Sequence, residues 1–364
     1  MQFRCEKEVL AEALGAASRA STGRSTNPTM SCLRLVLAGD QLRITGTDGD
    51  LTIDASIIVA GSKDGVVLVP AKLVSDVVRS LQPGAVEFDL GEDNVEISAN
   101  RVNFTVPIGA GDDFLKWSGT VGQGASMSAK DFSEALRQVV RAASSDMQRL
   151  PLTGVLMSAE PEGLRLVATD SYRLAVRDLP GTNVLGHGQK VVIPSRALGE
   201  LQRLLNQGDE VTLCLAEDRA TFAVGNATLS TSLLQVEFPN YRQLIQPSYP
   251  NTLTVAREAL LEAVRRCRIF ARETTPVRLE MTATSLKLSV ITQDIGNSEE
   301  EIDCSLEGTE MTVGFNPEYL AAGIEAVTGD EITIQTTDPQ RPAVLRGVGA
   351  EDYLYLVMPQ RLTV

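Results

Sequence analysis

The chain repeats itself three times, and this periodicity limits its possible folds more than any other feature. Leu42-Arg-Ile-Thr-Gly-Thr-Asp-Gly-Asp-Leu returns as Leu164-Arg-Leu-Val-Ala-Thr-Asp-Ser-Tyr-Arg-Leu, and again as Leu286-Lys-Leu-Ser-Val-Ile-Thr-Gln-Asp, at two steps of 122 residues. Each copy alternates apolar and polar residues, the pattern of a half-buried strand. A second element recurs at steps of 124 and 122: Val69-Pro-Ala-Lys-Leu-Val-Ser-Asp-Val-Val-Arg-Ser-Leu, Ile193-Pro-Ser-Arg-Ala-Leu-Gly-Glu-Leu-Gln-Arg-Leu-Leu and Phe315-Asn-Pro-Glu-Tyr-Leu-Ala-Ala-Gly-Ile-Glu-Ala-Val. Each carries Pro where the first turn of a helix tolerates it, followed by helical apolar spacing. A further amphipathic helix opens each copy, near Lys7–Ala17, Ala129–Ala143 and Arg257–Arg272. Strand-like stretches close each copy, among them Ala85–Leu90, Glu210–Leu215 and Glu331–Gln335.

One unit therefore reads as helix, strands, helix, strands, an α+β architecture used three times. The expected cuts are 1–124, 125–250 and 251–364, with Gly122–Ser126 and Pro247–Asn251 as linkers. A unit of this size has a diameter of about 35 Å. Three such units in a closed ring leave a hole of radius about 3 Å, and six leave about 17 Å. Only the larger admits a duplex, whose groove alone is about 8.5 Å deep. A six-unit ring requires two chains closed head to tail.

Charge and side-chain chemistry narrow the function. Asp and Glu total 47 against 33 Lys and Arg, a formal charge of −14, which argues against polyanion binding by global charge. The basic residues are arranged, however. Arg137 and Arg141 lie opposite the apolar stripe of the second copy's opening helix, Arg19 matches Arg141 at the repeat step, and Arg265 matches Arg137. Lys72 and Arg79 share one helix face, as do Arg196 and Arg203, whereas the third copy puts Glu318 and Glu325 there. Acids gather elsewhere, as in Glu299, Glu300, Glu301 and Asp303. Such separation gives a positive lining on a negative protein, suited to weak, salt-sensitive phosphate contacts without base reading.

The single His187 lies in Gly-His-Gly, and no HExxH, GxSxG or GxxxxGK motif occurs. The five scattered cysteines form no CxxC pair and fit a reducing cytosol. The opening residues carry no signal-peptide core, and no apolar run reaches the roughly 20 residues of a membrane helix. We expect a cytoplasmic protein with no cofactor, no metal and no catalytic residue. Thr47-Asp48 and Thr169-Asp170-Ser171 raise an aspartic-protease alternative, but no Asp-Thr-Gly or Asp-Ser-Gly triplet is present and the third copy breaks the dyad. Repeated Thr-Asp reads instead as turn chemistry after a strand. An open scaffold array without nucleic acid is the second alternative.

In combination these features resemble the bacterial DNA polymerase III beta subunit family, the replicative sliding clamps. The most specific segments are Ala168-Thr-Asp-Ser-Tyr-Arg-Leu-Ala-Val, Glu237-Phe-Pro-Asn-Tyr-Arg, Gly314-Phe-Asn and Tyr355-Leu-Val-Met-Pro-Gln-Arg-Leu. The resemblance spans the whole chain. It implies a head-to-tail homodimeric ring of six units around duplex DNA, loaded by an ATP-driven clamp loader. It also implies that the ring tethers the replicative polymerase and receives repair proteins through short peptides.

The family's peptide-docking pocket, carried over position by position, uses Leu152, Thr169, Ser171, Tyr172, Arg173 and Leu174. Pro239 and Leu244 form another side, Asn316 and Tyr319 come from the third copy, and Leu356, Val357, Met358, Pro359, Gln360, Arg361 and Leu362 close the pocket. Such a cleft joins adaptable apolar side chains to a few polar groups that fix a peptide backbone. Ser171-Tyr172 stands where some members have Gly-His, Gln360 where some have Met, Gln243 where a basic residue is common, and Thr363 and Val364 extend beyond the usual closing Leu. These departures bear on peptide preference and pocket depth. Arg24 in Thr-Gly-Arg-Ser matches a DNA-contacting loop arginine of the family, and Lys72, Arg79, Arg149, Arg196 and Arg203 match basic positions lining the hole. Arg137, Arg141 and Arg265 join the DNA-facing set on the helical wheel alone.

Overall fold

The computed structural model describes residues 1–21, 28–109, 114, 124–272 and 274–362. Six helices carry the repeat: α1 (Lys7–Ser18), α2 (Ala71–Ser80), α3 (Ala129–Val139), α4 (Ser195–Leu204), α5 (Arg257–Arg268) and α6 (Pro317–Ala326). α1, α3 and α5 open the three copies, and α2, α4 and α6 are their second helices. α3 and α5 end before the expected Ala143 and Arg272, because the chain tightens into a 3₁₀ turn at Val140–Ala142 and leaves the helix at Ile269.

The prolines do not all sit inside the helix. Pro70 and Pro194 end the strands before α2 and α4, and only Pro317 occupies the first turn of a helix. There Asn316 caps α6, its side-chain oxygen accepting from the N–H groups of Glu318 (2.8 Å) and Tyr319 (3.1 Å). The cap and the fixed φ of Pro317 start the helix that carries Tyr319.

The chain divides into two compact units: Met1–Ser133 with Arg196–Leu233, and Glu134–Ser195 with Leu234–Val364. In the first, a five-stranded and an eight-stranded sheet pack around helices. Leu10, Ala13, Leu14 and Ala17 of α1 and Val74, Val77 and Val78 of α2 fill a core with Phe3, Phe88, Leu33, Leu35, Leu42 and Ile44. The rings of Phe3 and Phe88 stack at 4.7 Å. The eight-stranded sheet runs across the boundary of the first two copies, because Leu51–Ile58 pairs antiparallel with Ala227–Ser232.

The second unit is built on one 13-stranded sheet. Strand Arg173–Pro180 of the second copy pairs antiparallel with the near-terminal strand Tyr353–Val357 of the third, in register Arg173 with Val357, Leu174 with Leu356 and Ala175 with Tyr355. The last short strand, Pro359–Gln360, pairs with Phe315 and Gly314 at the far end of that sheet. Side chains alternate across a strand. Leu174, Val176, Leu354 and Leu356 therefore share one face, where Phe238, Tyr241 and Ile245 of the following segment cover them. Arg173, Ala175, Tyr353 and Tyr355 point to the opposite face, where the Tyr355 hydroxyl donates to the backbone oxygen of Tyr319 in α6 at 2.9 Å.

Candidate functional site

Every residue of the expected docking pocket belongs to the second compact unit. Its centre is the turn between strands Gly163–Thr169 and Arg173–Pro180. The Asp170 carboxylate accepts from the N–H groups of Tyr172 (2.9 Å) and Arg173 (3.0 Å), and its other oxygen takes the Arg173 guanidinium at 2.9 Å. The Thr169 hydroxyl donates to the Arg173 carbonyl at 2.7 Å and receives the Ser171 N–H at 3.1 Å. The turn places Ser171 at φ +80°, a left-handed conformation that favours glycine. Met358 closes the turn against the C-terminal strand, its N–H donating to the Tyr172 carbonyl at 2.8 Å.

The same local chemistry occurs in the first copy, where Asp48 accepts from Asp50 and Leu51, and Thr47 from Gly49. Both aspartates are thus turn-forming groups. The structure contains no group of three or more His, Cys, Asp or Glu arranged to hold a metal among the described residues.

Around this turn sit an aromatic wall and a cation. The Tyr172 and Tyr319 rings stack at 6.2 Å, and the Arg173 guanidinium lies 4.6 Å from the Tyr319 centroid. Burial opposes the Arg173 charge, but Tyr355 and Asp170 beside it outweigh that penalty and hold its pKa above the ordinary guanidinium value. Burial pushes the hydroxyl pKa of Tyr319 up, and Asp170 adds to the effect. Tyr172 is 57% exposed and Met358 36%, so the rim is accessible, while Leu152, Thr169, Leu174, Leu356 and Val357 are buried, Leu174 and Leu356 on the sheet face opposite Arg173 and Tyr355. Pro239 and Leu244 lie exposed on the segment that crosses the Leu174 face. A cavity of about 510 Å³ opens beside the chain end, lined by Pro359, Gln360, Arg361 and Leu362 with Thr312, Gly314, Pro339 and Gln340. The arrangement offers apolar surface, two stackable rings, backbone groups and one fixed cation, which suits an extended peptide with apolar anchors.

The basic residues separate into three groups. Lys72 and Arg79 are exposed and make no ion pair among the described residues, the Arg79 guanidinium lying against Gly15 where a Cβ would come within 2.7 Å. Arg141, Arg196, Arg203 and Arg265 are exposed but paired, with Glu325, Asp48, Glu200 and Glu325 respectively. Two residues are engaged elsewhere than the sequence reading expects. The Arg137 guanidinium is held by Glu134 at 2.6 Å and by the carbonyl oxygens of Glu325 and Ala326, so it caps the end of α6. Arg149 donates to the Asp170 carbonyl and the Ser171 hydroxyl, which makes it part of the docking turn. Arg24 lies outside the described residues.

Three family models of the DNA polymerase III beta subunit match the chain in order: the N-terminal domain over residues 1–116, the central domain over 126–240 and the C-terminal domain over 242–361. The chain belongs to the DNA polymerase III beta subunit family. It is 30% identical over 381 residues to the beta sliding clamp of Synechococcus elongatus and 28% over 380 residues to that of Streptomyces coelicolor, with full coverage of both chains in each case. Among solved structures, the sliding clamp of Bartonella birtlesii bound to griselimycin superimposes at TM-score 0.92 with 28% identity, and that of Bacillus subtilis at 0.91 with 26%. Each covers the whole of both chains.

Three further residues of the candidate site are not among those carried over by position. Asp170 organises the turn, Tyr355 joins strand to α6, and Gly314 seats the chain end: a Cβ there would lie 2.6 Å from Leu362 Cδ2 and 2.9 Å from the Gln360 oxygen. The repeated Thr-Asp is the sequence signal for Asp170, and Gly314-Phe-Asn is the signal for Gly314. Tyr355 opens the family-like segment Tyr355-Leu-Val-Met-Pro-Gln-Arg-Leu, but nothing in the sequence points to its bond with α6.

Proposed function

We propose that this chain is a DNA sliding clamp: two copies close head to tail into a ring of six units that encircles duplex DNA and tethers the replicative polymerase. The observation that carries this reading is the threefold repeat, with one family model matched in order to each copy. The units are those at 1–124, 125–250 and 251–364. The ring acts in the cytoplasm, is opened and loaded by a clamp loader, and has no catalytic step of its own. No helix among the described residues is long and apolar enough to cross a membrane.

Two open sheet edges support closure by a second copy. The five-stranded sheet ends in Val102–Pro107, whose outer edge is unpaired among the described residues. Strand Gly296–Glu307 pairs along Gly296–Asp303 with Ser285–Thr292 on one side only, its other side being occupied from Cys304 to Glu307. Exposed strand edges seek partners. Ile269, Ile291 and Ile295 are exposed in the same part of the third copy, with Phe270 in contact range of Gly296. The first unit of one chain then meets the third unit of the other.

Inside the ring, Lys72, Arg79, Arg141, Arg196, Arg203 and Arg265 make phosphate contacts that are sequence-independent and individually weak. Polymerase and repair proteins dock peptides at the Tyr172, Arg173 and Tyr319 site.

The test compares retention on circular and linear DNA after loading. A ring stays on the circle and runs off free ends, and equal loss from both would refute encirclement. The same reading expects the protein to run in solution near twice its 39.1 kDa chain mass, and a monomer would refute the two-chain ring.

A further inference from the structure

Two carboxylates stand between arginines of the basic set, each on the second helix of its copy though not at matching repeat positions, since Glu325 falls where Arg203 stands. In the first compact unit, Glu200 Oε2 lies 2.8 Å from Arg19 Nε and Glu200 Oε1 3.3 Å from Arg203 Nη1. In the second, Glu325 Oε2 lies 3.0 Å from Arg141 Nη1 and Oε1 2.8 Å from Arg265 Nη2. Each carboxylate belongs to the second helix of a copy, α4 or α6. In both clusters one arginine follows the opening helix of the preceding copy, and these two, Arg19 and Arg141, are one repeat step apart. Glu325 is also held in place from behind, since Arg137 binds the backbone oxygens of Glu325 and Ala326 at 2.9 and 3.0 Å.

The exposures are ordered. Glu200 and Glu325 side chains are 18% and 32% exposed, against 64% for Arg203, 69% for Arg141 and 53% for Arg265, while Arg19 is 27% exposed. The acids are recessed, three of the four guanidinium groups project, and Arg19 stays recessed beside Glu200. A phosphate arriving from solvent therefore reaches the arginines directly and competes with a carboxylate already bonded to them.

We propose that Glu200 and Glu325 are built-in counter-ions of the DNA-facing arginines, partly neutralising the lining so that the ring holds the duplex loosely. The idea rests on the reading that these helices face DNA. Weak grip lets the ring slide while topology keeps it on the strand. An arginine already paired with an acid exchanges one anion for another, so its net contribution to binding falls below that of a free cation. Lys72 and Arg79, which have no acid partner among the described residues, supply the unopposed part of the attraction.

The test uses the full-length protein and a fluorescent linear duplex, with anisotropy read over a salt series. Glu325→Gln frees Arg141 and Arg265, and binding tightens about 2- to 30-fold at low salt, the usual worth of two exposed pairs. The slope of log K against log salt steepens by up to about 1.8, roughly 0.9 for each released arginine. Adding Arg141→Ala and Arg265→Ala to that variant removes the gain. Glu200→Gln shifts binding the same way through Arg203 and is the second variant if Glu325→Gln melts early. A folded variant with wild-type affinity and slope overturns the counter-ion role, as does a gain that persists without the two arginines. If neither wild type nor variants bind duplex at low salt, the DNA-facing reading fails as well.

Discussion

Substituting Gly314 by Ala tests how the chain end reaches the docking site. The terminal segment is held by few interactions: the Met358 N–H to the Tyr172 carbonyl at 2.8 Å, the pairing of Pro359 and Gln360 with Phe315 and Gly314, and Leu362 over Gly314. An alanine Cβ would lie 2.6 Å from Leu362 Cδ2 and 2.9 Å from the Gln360 carbonyl oxygen. Leu362 can rotate away, but the Gln360 oxygen moves only with its backbone, so the strand must lift. Losing its two or so ladder hydrogen bonds costs about 1–3 kcal/mol at roughly 0.5–1.5 each. Because the segment lies at the end of the sheet, that loss stays local. Hydrogen exchange should quicken at the amides of Met358 and Gln360–Leu362 while the strand Tyr353–Val357 keeps its protection. Affinity for an extended peptide with apolar anchors should fall by up to about 5- to 150-fold, as the docked fraction of the chain end falls. Unchanged exchange together with unchanged affinity would refute the idea that this pairing builds the pocket wall.

Three further outcomes follow from the same geometry. Ser171→Gly relieves the left-handed strain at φ +80° and should stabilise the protein by up to about 1 kcal/mol in urea unfolding, the greater freedom of unfolded glycine offsetting part of the gain. Arg173→Lys keeps the charge but loses the planar stack on Tyr319, so peptide affinity should drop about 3- to 30-fold, with a smaller loss of stability than Arg173→Ala. Hydrogen bonding from Arg137 holds the Glu134 carboxyl below its ordinary value of 4.5. A depressed carboxylate pKa gives stability that is present above the unfolded value and lost as pH falls through the folded one. The difference in melting temperature between wild type and Glu134→Gln should therefore be full near neutrality and shrink as pH drops below about 4.5.

The periodic parts of the fold were legible because burial writes them into the residue order. Val74, Val77 and Val78 had to share a helix face, and Ala85–Leu90 and Glu210–Leu215 are strands with the bounds that their alternation predicts. What the sequence does not carry is how a polar side chain spends its hydrogen bonds. A helical wheel puts Arg137 on the outer face, but a neighbouring helix end with unsatisfied carbonyl oxygens captures its guanidinium. Arg149 reads as one more basic residue until the turn at Asp170 and Ser171 is seen to hold it. Residues 22–27, including Arg24, lie outside the described chain, so that expectation stands as a proposal.

The two Thr-Asp turns show how a repeat acquires a site without changing its fold. In both copies the aspartate accepts two backbone N–H groups and the threonine accepts a third, so the backbone problem is solved identically. The free oxygen of the aspartate is what differs. Asp48 gives it to Arg196, a residue of the following copy's helix, and the turn position after it is Gly49 at φ +98°. Asp170 gives it to Arg173 within the same turn, and the positions after it are Ser171 and the exposed Tyr172. Folding Arg173 back onto its own turn frees the guanidinium face to lie on Tyr319 of α6, which brings two rings, one cation and the chain end together. The first turn has no such aromatic partner among the described residues, because α2 carries no aromatic residue. The docking chemistry thus arises from one redirected ion pair and one tyrosine on a scaffold that both copies share.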